Sequence, residues 1–335
     1  MGGARVTSIQ VAKRAGVSQS AVSRVFTPGA SVSQKTKDKV KKAAEELGYR
    51  PNVLARSLIT GKSRMIGLMV AYLENYFYPE VLEKLSNALQ AEGYHVLVFM
   101  AERTTGNINK VLEQILDYQV DGIVMASVAI SSELAAHCQA AGVPVVLLNR
   151  NQDDDKLSAV TSDNGAGGRK IADFLIKAGH RRIGYIAGWE QASTQRDREA
   201  GFRDGLVKGG LELFAREVGE FRYEQAQEAT RRMFGKADRP DAVFVANDHM
   251  AFAVMDVLRS ELGMRVPDDV SVVGFDDVPP AAWPAYDLTT VRQQADVMVK
   301  ETVHTLLGHI EHRQSEPRRI AIDGPLVVRG STRKP

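Results

Sequence analysis

Two sets of residues in this 335-residue chain have the types and spacing for recognition chemistry. Near the N-terminus, Gln19, Ser20 and Arg24 share one short stretch, QSAVSRVF. A Gln side chain can bond adenine N6 and N7 together, and Arg suits guanine O6 and N7 or a phosphate. The second set is scattered. Asn149 follows VVLL, Asn247 and Asp248 follow VFVA, Asp276 follows VVGF, and Arg198 is placed at the opening of a helix written RDREAGF. Polar side chains just after apolar β-branched runs occupy the carboxyl ends of strands, where open α/β sheets bind ligands.

No constellation for catalysis accompanies them. Cys138 is the one cysteine, which excludes an intramolecular disulfide framework and a zinc site of several thiolates. The seven histidines give no nucleophile–base pair. His309 and His312, three apart near Glu311, read as a solvated helix face. DNGAGG at 163–168 lacks the Lys-Ser/Thr pair of a phosphate loop and reads as helix entry, and Asp153, Asp154 and Asp155 read as a solvated loop.

The elements around the first set form a small helical head. Thr7-Ser8-Ile9-Gln10 is a capping box opening a short helix with Ile9, Val11, Ala12 and Ala15 as its apolar positions, ended by Gly16. Ser18 caps a second short helix with a narrow stripe of Ala21, Val22 and Val25. Two short helices joined by a tight Gly turn are the pattern of helix-turn-helix, whose second helix presents its first exposed residues to base edges. Ser33 caps a third helix over about 34–47 whose Val40, Ala44 and Leu47 close the core, and Gly48 ends it. Pro51 then breaks the chain, and a marginal helix ending at Gly61 forms the link to the remainder.

Charge separates the two parts. Residues 1–64 hold 13 basic and three acidic residues, whereas the remainder holds 30 and 38. A head of net charge +10 on a body of −8 points to a polyanion-binding module and a body with another task. A small αα-hairpin packed on the body would explain the apolar stripe but not the basic excess.

From residue 65, apolar runs at 65–71, 95–100, 121–126 and 143–148 alternate with helical stretches such as 79–93, and a second series has runs at 182–188, 241–247 and 269–275. This alternation predicts two α/β lobes with parallel sheets and a cleft between them. No apolar run is long enough for a membrane span, and the N-terminus lacks a secretory h-region, so a cytoplasmic protein is expected.

The segment VTSIQVAKRAGVSQSAVSRVF, with VSQKTKDKVKKAAEELGYRPNVLARSLITGKSRMIGLMV, resembles the head and hinge of the LacI/GalR family of bacterial transcription regulators, and the likeness continues through the body. The resemblance implies DNA contacts at Thr7, Ser8, Ser18, Gln19, Ser20, Ser23, Arg24, Ser33, Thr36, Tyr49, Asn52 and Ala55, and a minor-groove wedge at Leu58. The chain departs from the family at Thr27-Pro28-Gly29. For the body it implies a form like that of periplasmic binding proteins, with an effector cleft lined by Asn149, Arg198, Asn247 and Asp276 and walled by Phe77 and Phe221. Amides, a carboxylate, a guanidinium fork and aromatic faces suit a polyol. Arg198 and the adjacent Arg150 leave a carboxylate- or phosphate-bearing sugar open.

The expected organisation is an α/β protein with a head over 1–50, a hinge over 51–64 and a body over 65–335. Lobe 1 of the body takes 65–162 and 292–321, and lobe 2 takes 163–291 and 322–335. The expected function is sequence-specific transcription regulation, as a repressor, with operator affinity controlled by a sugar-like effector. A homodimer on near-palindromic double-stranded DNA is expected, with no cofactor, metal, membrane partner or enzymatic activity. A free sugar-binding protein and an α/β enzyme acting on a sugar are the rivals. The basic head argues against the first, and the missing catalytic cluster against the second.

Overall fold

The structure, a computed structural model, describes residues 6–27, 29–50, 62–71, 73–101, 105–127, 132–152, 156–312 and 316–335. The chain divides into two compact units, Met1–Ser63 and Arg64–Pro335.

In the first unit, α1 (Ser8–Ala15) starts at the reciprocal cap: Gln10 N donates to Thr7 Oγ1 at 3.4 Å and Thr7 N to Gln10 Oε1 at 2.8 Å. Ser18 caps α2 (Gln19–Val25) and Ser33 caps α3 (Gln34–Leu47). Gly16 and Gly48 end α1 and α3 at φ 67° and 66°, a left-handed turn that a Cβ disfavours. Val11, Ala12, Val22, Val40, Ala43 and Ala44 form the buried core. Ile9 does not join it and is 61 % exposed. On a 3.6-residue period it lies roughly a third of a turn from the centre of the Val11–Ala12–Ala15 face. The expected hinge helix falls on 51–61, outside the described residues.

The second unit contains two six-stranded sheets. The first uses β1 (Met65–Val70), β2 (His95–Met100), β3 (Gly122–Ala126), β4 (Val145–Leu148), β5 (Ser158–Ser162) and β11 (Arg319–Ile322), ordered β11-β5-β4-β3-β1-β2 and parallel throughout. The second uses β6 (Ile183–Ala187), β7 (Ala215–Val218), β8 (Ala242–Val245), β9 (Ser271–Asp276), β10 (Thr289–Arg292) and β12 (Leu326–Val327), ordered β12-β10-β9-β8-β6-β7. The pairing of β10 with β12 is antiparallel, a departure from the all-parallel expectation. Five strands lie outside the seven apolar runs: β5, β7, β10, β11 and β12. They are short, β5, β7, β10 and β11 carry Ser, Thr, Arg or Glu, β12 is only two residues long, and β7 and β11 are half-exposed.

Helices cover the sheets: α4 (Phe77–Ala91), α5 (Thr105–Asp117), α6 (Ser132–Ala140), α7 (Asn164–Lys177), α8 (Ser193–Lys208), α9 (Tyr223–Phe234), α10 (Asp248–Asp256) and α11 (Ala295–Ile310). Although it follows β10 of the second sheet, α11 packs on α4 and on strands of the first. The chain crosses between the sheets after β5, after β10 and after β11. The crossings are stitched together, with Asp163 N donating to the Ile322 carbonyl at 2.8 Å and Ser162 Oγ to Gln293 Oε1 at 2.7 Å.

The two sheets are thus joined by three closely bonded chain segments. No helix of the described residues is long and apolar enough to cross a membrane.

Candidate functional site

In the first unit, most of the residues expected to meet DNA are accessible. Thr7, Ser18, Gln19, Ser20, Ser23, Arg24 and Ser33 are exposed, and Ser8, Thr36 and Tyr49 are half-buried. Gln19 Nε2 donates to Ser8 Oγ at 3.1 Å, which brings the first turns of α1 and α2 side by side. Ser33 and Thr36 hydroxyls lie 2.9 Å apart on α3. Tyr49 also packs against Phe26, with ring centroids 5.9 Å apart, so its ring has a place in the head core. Thr27 turns its hydroxyl back onto the Ser23 carbonyl at 2.9 Å. Asn52, Ala55 and Leu58 lie outside the described residues.

In the second unit, five of the six strand-end and wall residues converge on one cavity. Asn149, Arg198, Phe221, Asn247 and Asp276 line it together. Its volume is about 10 Å³, close to the least that one water occupies. The Asn75 amide bonds the Asp276 carboxylate across it at 3.0 Å, so residues next to the two sheets touch here. Phe77 lines an adjoining cavity of about 220 Å³, and Asp276 borders both.

The arrangement follows from the strands. β4 ends at Leu148, and Asn149 then turns at φ 63°. Phe221 after β7 and Asp276 at the end of β9 also carry positive φ, 56° and 133°. Such backbone is disfavoured for a bulky side chain and persists where the surroundings over-determine it. Phe221 is pressed so closely on Gly188 that a Cβ there would collide with the ring.

Arg198 is corrected in one respect: α8 begins at Ser193, so Arg198 lies in its second turn rather than at its opening. Two close contacts set its position. A Cβ at Gly168 of α7 would collide with the Arg198 carbonyl oxygen, and one at Gly201 with that of Gly165. Gln195 pins the first turn of α8, accepting from Tyr185 Oη at 2.8 Å and Gly188 N at 2.6 Å. The guanidinium donates from Nε to Asn164 Oδ1 at 2.8 Å and from Nη1 to the Ala246 carbonyl at 2.6 Å. It also stacks on the Phe275 ring at 3.7 Å.

Asp276 receives Gln293 Nε2 at 2.7 Å and Asn75 Nδ2 at 3.0 Å. Burial raises its carboxyl above the ordinary range, while Arg198 and the two amides pull it back. Asp248, fully buried beside it, is raised by burial and then by the Asp276 charge. It accepts from Val278 N at 3.0 Å and Thr290 Oγ1 at 2.6 Å, which makes it an internal brace of the second sheet. Asn247 caps α10 by accepting from Met250 N at 3.0 Å and also lines the cavity. Asn149 Nδ2 donates to Tyr78 Oη at 3.0 Å, whereas its buried Oδ1 has no partner among the described residues. A buried amide oxygen without a donor calls for one, and a ligand hydroxyl is the simplest.

The sequence reading missed Asn75, Tyr78 and Thr194, which line the same cavity. Asn75 stands five residues past the end of β1, too far for the strand-end rule to mark it. Tyr78 and Thr194 are first-turn helix residues with no such marker. Among the described residues no group of three or more His, Cys, Asp or Glu could hold a metal ion. His309 is not simply solvated, since its Nε2 lies 2.9 Å from Ser158 Oγ.

Residues 9–52 match the family model of bacterial regulatory proteins, lacI family, and residues 172–332 that of a periplasmic binding protein-like domain. The chain is 34 % identical over 340 residues to the HTH-type transcriptional regulator CelR of Thermobifida fusca, covering 98 % of each. A solved complex of transcriptional regulator CelR with cellobiose aligns with 98 % of this chain and all of its own, at 32 % identity and a TM-score of 0.75. The Lac repressor dimer bound to operator and an anti-inducer aligns with 98 % of this chain and 99 % of its own, at 28 % identity and a TM-score of 0.89.

Proposed function

The chain belongs to the lacI family of bacterial regulatory proteins, and we propose that its head reads an operator while its body senses a small sugar-like effector. It is a DNA-binding transcription regulator, in keeping with its relatives, and not an enzyme. We assign base reading to Gln19, Ser20 and Arg24. Phosphate contacts go to Thr7, Ser8, Ser18, Ser23, Ser33, Thr36, Tyr49 and Asn52, and hinge contacts to Ala55 and Leu58. Effector binding goes to Asn149, Arg198, Phe221, Asn247 and Asp276, with Phe77 in the adjoining cavity. Lobes of 65–162 with 292–321, and 163–291 with 322–335, are the bodies that move.

The observation that carries this reading is the convergence of those five residues on a closed space between two sheets joined by three crossings. A ligand larger than one water must part the lobes or push side chains aside to enter. It then biases the lobe angle by its differential affinity for the two states. In a dimer on a near-palindromic site, that angle governs the spacing of two heads, and coupling between effector and operator is reciprocal. An operator as partner supports a cytoplasmic location. CelR is known with cellobiose and the Lac repressor as a dimer on operator, which supports a saccharide effector and a homodimer here.

The test is a gel shift on operator recovered by selection from random DNA, across a salt series and with added saccharides. The expected result is sequence-specific binding that weakens steeply with salt and is changed by a saccharide. Equal binding to all sequences, or indifference to every saccharide, would overturn the reading.

A further inference from the structure

Glu199 follows Arg198 on α8, and the step of roughly 100° between helical neighbours turns it away from the cavity. Its side chain is 14 % exposed, and both carboxylate oxygens are bonded. Arg216 of the edge strand β7 forks onto them, with Nε donating to Oε1 at 2.9 Å and Nη2 to Oε2 at 3.0 Å. Arg203, one turn further along α8, donates from Nε to Oε1 at 2.9 Å. Gln195, one turn back, donates from Nε2 to Oε2 at 2.8 Å. Arg216 Nη2 also lies 2.8 Å from Glu190 Oε1, in the segment after β6. Burial pushes the Glu199 carboxyl up, and the bonds from Arg216 and Arg203 more than reverse that, holding it below the ordinary range.

Three segments of the second lobe therefore meet on one carboxylate, and each carries part of the cavity. Thr194 and Arg198 line it from α8. The chain leaving β7 reaches Phe221. The segment after β6 holds Gly188, whose N donates to Gln195 Oε1 at 2.6 Å and against which the Phe221 ring is pressed. None of Glu190, Glu199, Arg203 and Arg216 lines the cavity itself. An isolated ion pair at the surface does little, but a forked and branched set of charges fixes geometry, because moving one member breaks several bonds at once.

We propose that Glu199 and Arg216 are positioning residues for the effector response: their fork ties α8, β7 and the segment after β6 together and so holds Arg198 and Phe221 in place. This rests on the effector reading above and adds to it two residues that do not touch the cavity. A binding group loses its geometry when its supporting contacts leave it about half an ångström too loose. Lys does not replace Arg216, because a point charge cannot fork onto Glu199 and reach Glu190 at once.

The experiment uses the full chain labelled with 5-fluorotryptophan. Its two tryptophans, Trp189 and Trp283, give two fluorine NMR lines. Trp189 adjoins Glu190 and reports on the segment after β6, whereas Trp283 lies beyond β9. Without saccharide, Glu199→Gln and Arg216→Lys are expected to move or broaden the Trp189 line and to leave the Trp283 line in place. A Trp189 line that coincides with the wild type's in both variants would overturn the proposal, whatever saccharides do. The second measurement is a gel shift on selected operator with a panel of mono- and disaccharides that includes glucose, lactose and cellobiose. Operator affinity without saccharide is expected to stay within about twofold of the wild type. The saccharide concentration at the midpoint of the response should rise about tenfold, the order of one weakened bond to a charged group. Operator binding that falls in step with the response would mark general destabilisation and refute a positioning role. Variants that respond at the wild-type concentration would refute it too, and would leave the effector reading standing. A wild type indifferent to the whole panel would remove the effector reading and this proposal with it.

Discussion

Arg198 and Asp276 form an ion pair at 3.4 Å in which the two side chains are 3 % and 2 % exposed. Neither charge has much water, so each depends on the other and on the amides and carbonyl around them. Buried pairs of this kind add little net stability, yet breaking one is costly because it strands the other charge. This pair also stands where the effector is proposed to bind.

Arg198→Ala is accordingly expected to destabilise the body by about 3–5 kcal/mol, since Asp276 is left buried and uncompensated. Urea unfolding measures it. Arg198→Met combined with Asp276→Asn should recover much of that loss, and a double variant as unstable as the single one would show that the pair is not the cause. The recovered double variant should still bind operator but no longer respond to the saccharide that acts on the wild type.

The buried Asp248 implies a pH dependence. Its carboxyl is raised by burial and by the neighbouring Asp276 charge, so folding takes up a proton. Its stabilising share is full below about pH 4, the ordinary carboxylate value, and is lost as pH climbs toward the raised folded value. Relative to Asp248→Asn, the wild type should lose stability with rising pH above about 4, at no more than about 1.4 kcal/mol per pH unit. Parallel stability curves for the two proteins would refute this.

The close approach of α7 and α8 predicts that Gly168→Ala costs about 1–3 kcal/mol, because the added methyl meets the Arg198 carbonyl, which is backbone and cannot swing aside. The same shift should weaken the effector response, since it moves the helix that carries Arg198. A variant with wild-type unfolding and wild-type response would show that the helices part freely.

In the head, Gln19→Ala should relax base preference at one position of each half-site, with about 1–3 kcal/mol at stake. Operator selection from random DNA is the measurement, and recovery of the wild-type site would move base reading elsewhere. Leu58→Ala should reduce DNA bending and specific affinity while leaving effector affinity unchanged, as circular-permutation shifts and calorimetry would report.

Local chemistry made much of this protein legible from residue order alone. The capping residues Thr7, Ser18 and Ser33 and the stop glycines Gly16 and Gly48 act within one helical turn, so three head helices could be read to within a residue or so. Six of the seven strands stood out because both faces of a parallel sheet are buried, which leaves continuous apolar runs such as VVLL and AVFV, whereas the edge strand β2 stood out by its apolar residues although it is half exposed. Asn149, Asn247 and Asp276 could be named because each follows such a run. Five strands escaped because a strand that is very short or largely polar is defined by its neighbours rather than by its own composition. Ile9 was misjudged because which side of a short helix is covered depends on α2 and α3. Only the tertiary structure could bring Asn75 to Asp276, 201 positions apart, or leave Asn149 Oδ1 without a donor among the described residues. Those relations arise where the two lobes meet, joined by three chain crossings. Residue order specifies each lobe by short-range rules, whereas the site between the lobes exists only once both have folded and met.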